Sequence, residues 1–189
     1  MFPPVSGVRI VTSIPGNHDI GLGNGIREQR LERFKLHFGE INSTSQRLEI
    51  GDFELILLDS PSLLNSVSMN ISGPVLGFLE DTPELERSHT RLLFTHIPLY
   101  RPPEMGCGQS RESSRPIREG GGYQYLNMLP QDLSVRILES IWPLSAIFTG
   151  DDHDYCLAEH EVEGRREVIP EYTVKSFSWA MVRSGSRRG

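Results

Sequence analysis

Apolar and polar positions fall into blocks whose spacing switches between strand-like and helix-like periods along the chain. Residues 8–14 form a short β-rich run, stopped by Pro15-Gly16. Over 26–38 the apolar residues Ile26, Leu31, Phe34 and Phe38 fall near one face, with Arg and Glu opposite. That spacing predicts an amphipathic helix, with Gly39 as its stop. Two runs, 47–50 and 53–58, flank Gly51-Asp52 and predict a hairpin. The second run, Phe53-Glu54-Leu55-Ile56-Leu57-Leu58, is apolar enough for a central strand. Residues 73–90 are mixed and predict helix in part. Residues 91–95 read as an apolar strand that delivers His96 at its end. Residues 101–122 are rich in Pro, Gly, Ser and Arg and predict a long loop, a kind of segment that often carries function. A helix is predicted at 133–141 and a short buried strand at 146–149, which delivers Gly150-Asp151-Asp152-His153. Strand-like runs follow from Tyr155, notably 167–177. This order of elements argues an α/β domain.

Composition changes the picture little. The 189 residues fit one domain, and 37% hydrophobic with 23% charged residues is ordinary for a globular chain. A formal net charge of -6 gives a nucleic-acid backbone no general attraction. The basic cluster Arg183, Arg187 and Arg188 lies at the end of the chain and reads as a solvated tail. No stretch is long and apolar enough to span a bilayer. The N-terminal residues lack the basic start and apolar run of a signal peptide. Cys107 and Cys156 are too few for a disulfide scaffold; free thiols and a single bridge both remain open.

Chemistry concentrates at three polar clusters, each placed where an apolar run ends. They are Gly16-Asn17-His18-Asp19, Thr95-His96-Ile97-Pro98 and Gly150-Asp151-Asp152-His153. In α/β sheets the crevice beyond the strand C-termini is where ligands bind. An amide carbonyl, carboxylates and imidazoles make a donor set for a divalent cation of intermediate hardness. The glycine ahead of a cluster is expected to let the backbone turn tightly into the pocket. Taken singly each cluster has a simple structural reading, such as a capped turn. His37, His89 and His160 read as ordinary surface or half-buried residues.

In this order the clusters resemble the third, fourth and fifth signature motifs of calcineurin-like metallophosphoesterases. Further runs narrow the resemblance: residues 14–21, 150–156 and 173–181, with Cys107-Gly108 and Gly122-Tyr123-Gln124-Tyr125. These are similar to a fungal subgroup of membrane-anchored phosphodiesterases of the secretory pathway. Its members remove ethanolamine phosphate from the glycan of GPI anchors and use Mn²⁺. The resemblance implies a layered αββα sandwich and two divalent metal ions. It implies that Asn17, His96 and Asp151 bind the second metal, Asp151 standing where the family usually has His. It implies that His153 binds the first metal. His18 would be the acid at the leaving oxygen, with Asp19 orienting its ring. The implied substrate is a phosphorylated glycan or glycolipid in the endoplasmic reticulum or Golgi. The oxidising lumen also implies a Cys107–Cys156 disulfide.

The family's two earlier motifs, Asp-x-His and Gly-Asp, do not occur in residues 1–15, ahead of the third motif. The expectation is therefore a truncated domain lacking its N-terminal strands and membrane anchor. The first metal would keep only His153, so weak or no turnover is expected of the chain alone. A half-site module that binds one metal or a partner is the alternative. Arg101, Arg111 and Arg118 could offer a phosphate contact; a solvated loop is the simpler reading and the one adopted.

Overall fold

A computed structural model describes residues 13–38, 43–82 and 89–176. Most of the run at 8–14 and the arginine-rich tail lie outside the described residues, as does the end of the run at 167–177.

The chain enters through a single helical turn, α1 (Asn17–Ile20), and a 3-10 turn at Gly23–Gly25. Helix α2 (Glu28–His37) follows, buried through Leu31 and Phe34. These pack with Ile20, Ile26 and Ile71 as a small apolar cluster. The predicted hairpin is present: β1 (Gln46–Ile50) pairs antiparallel with β2 (Phe53–Leu58), and Ile50 faces Phe53 across a two-residue turn. Gly51 carries a φ of 60°, the left-handed geometry such turns need.

Helix α3 (Ser60–Leu63) was not foreseen. Asp59 caps it by accepting the Ser62 N–H at 2.9 Å. Helix α4 (Met69–Glu80) begins ahead of the mixed segment expected at 73–90. Its buried residues Ile71, Val75 and Leu79 recur every fourth position, and that burial outweighs the internal Pro74. Strand β3 (Thr90–Thr95) then runs parallel to β2. The long loop after it ends in a small antiparallel ribbon, β4 (Gly121–Gly122) and β5 (Tyr125–Leu126). Helix α5 (Gln131–Ser140), β6 (Ala146–Thr149), β7 (Cys156–Glu161) and β8 (Val168–Thr173) complete the described chain.

The main sheet has the order β1-β2-β3-β6-β8-β7. Strands β2, β3, β6 and β8 are parallel, with β1 and β7 antiparallel at the edges. Ile56, Leu58, Leu93, Ile147 and Ile169 from the sheet meet Val75 and Leu79 of α4, Ile137 of α5 and Ile141 just after it in one core. A central, mostly parallel sheet flanked by helices is consistent with a metallophosphoesterase-type sandwich. Among the described residues the second sheet is the ribbon alone. The parallel strands all release their C-terminal ends at one edge, which is where the polar clusters lie.

Two buried charged groups cross this core. Arg91, read from sequence as part of an apolar run, is fully buried and donates to Glu54 and to the carbonyls of Ile141 and Trp142. Glu171 of β8 accepts from Arg101, Thr149 and His160.

Candidate active site

The first cluster folds as it does because of Asp19. Its carboxylate accepts the Gly16 N–H at 2.8 Å, closing the turn that carries Asn17 and His18. Asn17 is buried and His18 is exposed. Asp19 Oδ2 is taken up by the Gly16 bond, and among the described residues no hydrogen bond joins Asp19 to His18. Gly16 sits on β-type backbone (φ -98°), so its role is not conformational freedom. A Cβ there would come within 3.1 Å of the His96 ring, closer than such contacts normally allow.

His96 follows the last residue of β3, and Asp151 follows β6 by two residues. The His96 Nε2 lies 3.0 Å from Asn17 Oδ1 and 3.1 Å from Asp151 Oδ1. The three residues predicted for the second metal thus converge on one point from three segments. A ring N–H can satisfy only one of the two oxygens well. A divalent cation accepting all three donors would satisfy both, and two oxygens with one imidazole suit Mn²⁺ or a similar ion. The donor set therefore fits the implied group. Among the described residues no three His, Cys, Asp or Glu side chains gather into a metal-binding cluster, so the fit depends on counting the Asn17 amide.

Asp151 and His153 carry φ values of 56° and 65°. Left-handed backbone at non-glycine residues costs energy and concentrates at functional sites. The expectation that glycines would supply the unusual backbone is corrected: the residues beside Gly150 carry it. The long loop holds this segment in place. Arg111 donates to Asp152 at 2.5 Å and to the Tyr155 carbonyl at 3.3 Å. Glu112 and Ser113 direct their N–H groups at the Asp154 carboxylate. Burial works to raise the Asp154 carboxyl, but the Ser113, Glu112 and Tyr155 N–H groups and Arg111 outweigh it and hold it below the usual range. Cys107 and Cys156 are bonded, which decides between the two states that sequence left open.

The solvated reading of the loop arginines holds for Arg118 alone. Arg101 is 2% exposed and donates to Glu171 and Thr173. The Arg111 side chain is also largely buried against its carboxylate partners. Each is drawn inward by a carboxylate that sequence alone does not place beside it. The reading of His160 is corrected likewise: it is buried, with Nε2 2.6 Å from Glu171 Oε2. His37 is exposed as expected, and His89 is half-buried.

The clusters open on a cleft of ≈ 520 Å³, whose walls include Asn17, His18, Asp151 and His153. Across it stands the β4–β5 ribbon. Asn17 Nδ2 donates to the Gln124 carbonyl at 3.1 Å, which turns Asn17 Oδ1 toward His96. Sequence reading missed that contact, as well as Asp59, which is fully buried at the end of β2. Burial pushes the Asp59 carboxyl up.

Comparison with known proteins adds ancestry to this geometry. The chain is 40% identical over 184 residues to Cell division control protein 1 of Saccharomyces cerevisiae, covering 96% of this chain and 37% of that protein. It is 29% identical over 174 residues to the Metallophosphoesterase 1 homolog of Caenorhabditis elegans, covering 89% of this chain and 45% of that protein. Against Metallophosphoesterase 1 of Macaca fascicularis it is 26% identical over 182 residues, 88% of this chain and 44% of that protein. These relatives support a place in the metallophosphoesterase superfamily. Superfamily membership of this kind implies divalent metals. No family model and no solved structure matches the chain. The chain spans less than half the length of these relatives. Among the described residues, no helix is long and apolar enough to cross a membrane.

Proposed function

We propose that this chain carries part of the active site of a metal-dependent phosphodiester hydrolase. Its substrate would be ethanolamine phosphate on GPI-anchor glycans, in the endoplasmic reticulum or Golgi. The observation that carries the reading is the meeting of Asn17 Oδ1, His96 Nε2 and Asp151 Oδ1 within 3.0 and 3.1 Å, at the C-terminal edge of a mostly parallel sheet. The Cys107–Cys156 bridge supports a secretory compartment, because disulfides persist where the surroundings are oxidising.

Asn17, His96 and Asp151 would hold one divalent cation, Mn²⁺ by preference. His153 would serve a second. Bound divalent cations lower the pKa of water and neutralise charge on a transferring phosphoryl group. His18 is exposed beside these donors on the cleft wall, where a protonated imidazole can deliver its proton to the departing alkoxide. The Gln124 carbonyl holds the Asn17 amide in the orientation that presents Oδ1.

Mn²⁺ titration of the purified chain, read by electron paramagnetic resonance, tests this. One ion per chain is expected, lost in Asn17→Ala, His96→Ala and Asp151→Ala. Binding that persists in all three variants sinks the assignment. Hydrolysis of bis(p-nitrophenyl) phosphate, followed alongside, is expected to be weak in this chain. His18→Ala should lower any such kcat by about 100-fold, a typical acid-catalysis contribution, without changing Mn²⁺ content. An unchanged kcat removes His18 from the reaction.

A further inference from the structure

Two stretches of the chain carry the pattern Asn-x-Ser/Thr with a residue other than proline in the middle. One is Asn42-Ser43-Thr44 and the other is Asn70-Ile71-Ser72. This is the acceptor pattern for an N-linked glycan in a secreted protein. Asn17, Asn24, Asn65 and Asn127 lack a hydroxyl residue two positions on. Asn42 lies outside the described residues, so the structural case is that of Asn70.

Asn70 is the second residue of α4, and it is exposed. A glycan has to leave the surface without displacing packed groups, and this face allows it. Val67 and Met69 beside it are 73% and 71% exposed. Asn70 Nδ2 donates to Glu28 Oε1 of α2 at 2.9 Å. A side-chain amide nitrogen carries two hydrogens. A glycosylated one keeps one of them, so the bond to Glu28 survives attachment. Ser72, the hydroxyl member of the pattern, is buried, with Oγ donating to the Ser68 carbonyl at 3.3 Å. Attachment therefore belongs to the chain before α4 closes, while Ser72 is still within reach of a transferase. Neither Asn70 nor Glu28 lines the cleft around Asn17, so a glycan there leaves the site open.

We propose that Asn70 carries an N-linked oligosaccharide. The inference rests on the secretory compartment proposed above, which the Cys107–Cys156 bridge supports. The donor is an oligosaccharide held on a polyprenyl diphosphate. Asn70 Nδ2 bonds to the anomeric carbon of the first sugar and gives up one proton. The bond from that carbon to the diphosphate oxygen breaks, and the lipid diphosphate leaves with the electron pair. The product is a bulky, hydrated group over Val67 and Met69, which shields that apolar surface from other chains.

The test uses two samples. One is the protein isolated from the cells that make it. The other is this chain directed into a eukaryotic secretion host by a cleavable signal sequence. Peptide N-glycosidase in heavy-oxygen water converts a glycosylated Asn to labelled Asp, which mass spectrometry locates. Label at Asn70 is expected in both samples. In the secretion host, the gel shift that the enzyme removes should shrink in Asn70→Gln and equally in Ser72→Ala, which leaves Asn70 in place. Ser72→Thr, which keeps the hydroxyl, should retain it, and Asn42→Gln should leave the label at Asn70. Unlabelled Asn70 in both samples overturns the proposal. Label confined to Asn42 also overturns it, while the secretory compartment stands. Label at Asn70 in the directed chain alone overturns it for the native protein and counts against the compartment as well.

Discussion

At the scale of single residues, the site is assembled by close approach more than by special backbone at glycine. A side chain at Gly16 would crowd the His96 ring, with a Cβ at 3.1 Å from it. Gly16→Ala should push the ring away from Asn17 and Asp151. The expected outcome is a Mn²⁺ affinity at least about tenfold weaker, with thermal stability lowered by less than about 2 kcal/mol, since the position is on ordinary β-type backbone. Unchanged affinity in a titration of the variant would show that the ring has room to adjust. The strain lies elsewhere, at Asp151 and His153. Both residues were picked out in the sequence as polar groups at a strand end. Their left-handed backbone was not legible, because nothing in Asp or His demands it; the surrounding loop imposes it.

At the scale of elements, the long loop acts as a brace for that strained segment. The Cys107–Cys156 bridge ties its start to β7, and Arg111 reaches Asp152 and the Tyr155 carbonyl further along. The bridged cysteines are 49 residues apart, and closing a loop of that length in the unfolded chain makes the bridge worth about 4 kcal/mol. Cys107→Ser with Cys156→Ser should therefore lower the urea midpoint markedly and open the loop to limited proteolysis. An unshifted midpoint would mean that the other loop contacts suffice. The loop's composition announced an irregular segment. Its partners were hidden, because Asp152 and Asp154 lie some forty residues from Arg111 and Ser113 along the chain. The start of α4 was obscured for a related reason: Gly73 and Pro74 signal a break that burial of Ile71, Val75 and Leu79 overrides.

At the scale of the whole molecule, the buried Glu171 ties β8 to β6, β7 and the long loop. Burial alone would raise its carboxyl, but the His160 hydrogen bond and the Arg101 charge outweigh that and hold it below the ordinary value of 4.5. A carboxylate depressed in the folded state contributes stability that is present above its unfolded pKa and lost as pH falls through the folded one. Urea midpoints should therefore hold between about pH 7 and pH 5 and drop below about pH 4. Glu171→Gln should flatten that acid limb and destabilise the protein at neutral pH, since it leaves Arg101 buried without its counter-charge. An acid limb as steep in the variant as in the parent would assign it to other carboxylates.

The sequence by itself determined the α/β class, the hairpin at Gly51-Asp52, the central strands, and the polar clusters that follow β3 and β6. Those features depend on local spacing: apolar periodicity sets each element, and a polar residue directly after a strand is carried to the sheet's edge. Only the tertiary structure decided that Asn17, His96 and Asp151 meet at one point, that Arg101 and His160 are buried partners of Glu171, and that the Tyr123–Tyr125 ribbon faces the site. Each depends on which strands become neighbours. Parallel strands such as β3 and β6 are joined by long connections, so their pairing, and with it the convergence of their ends, is set by packing of the whole sheet against its helices.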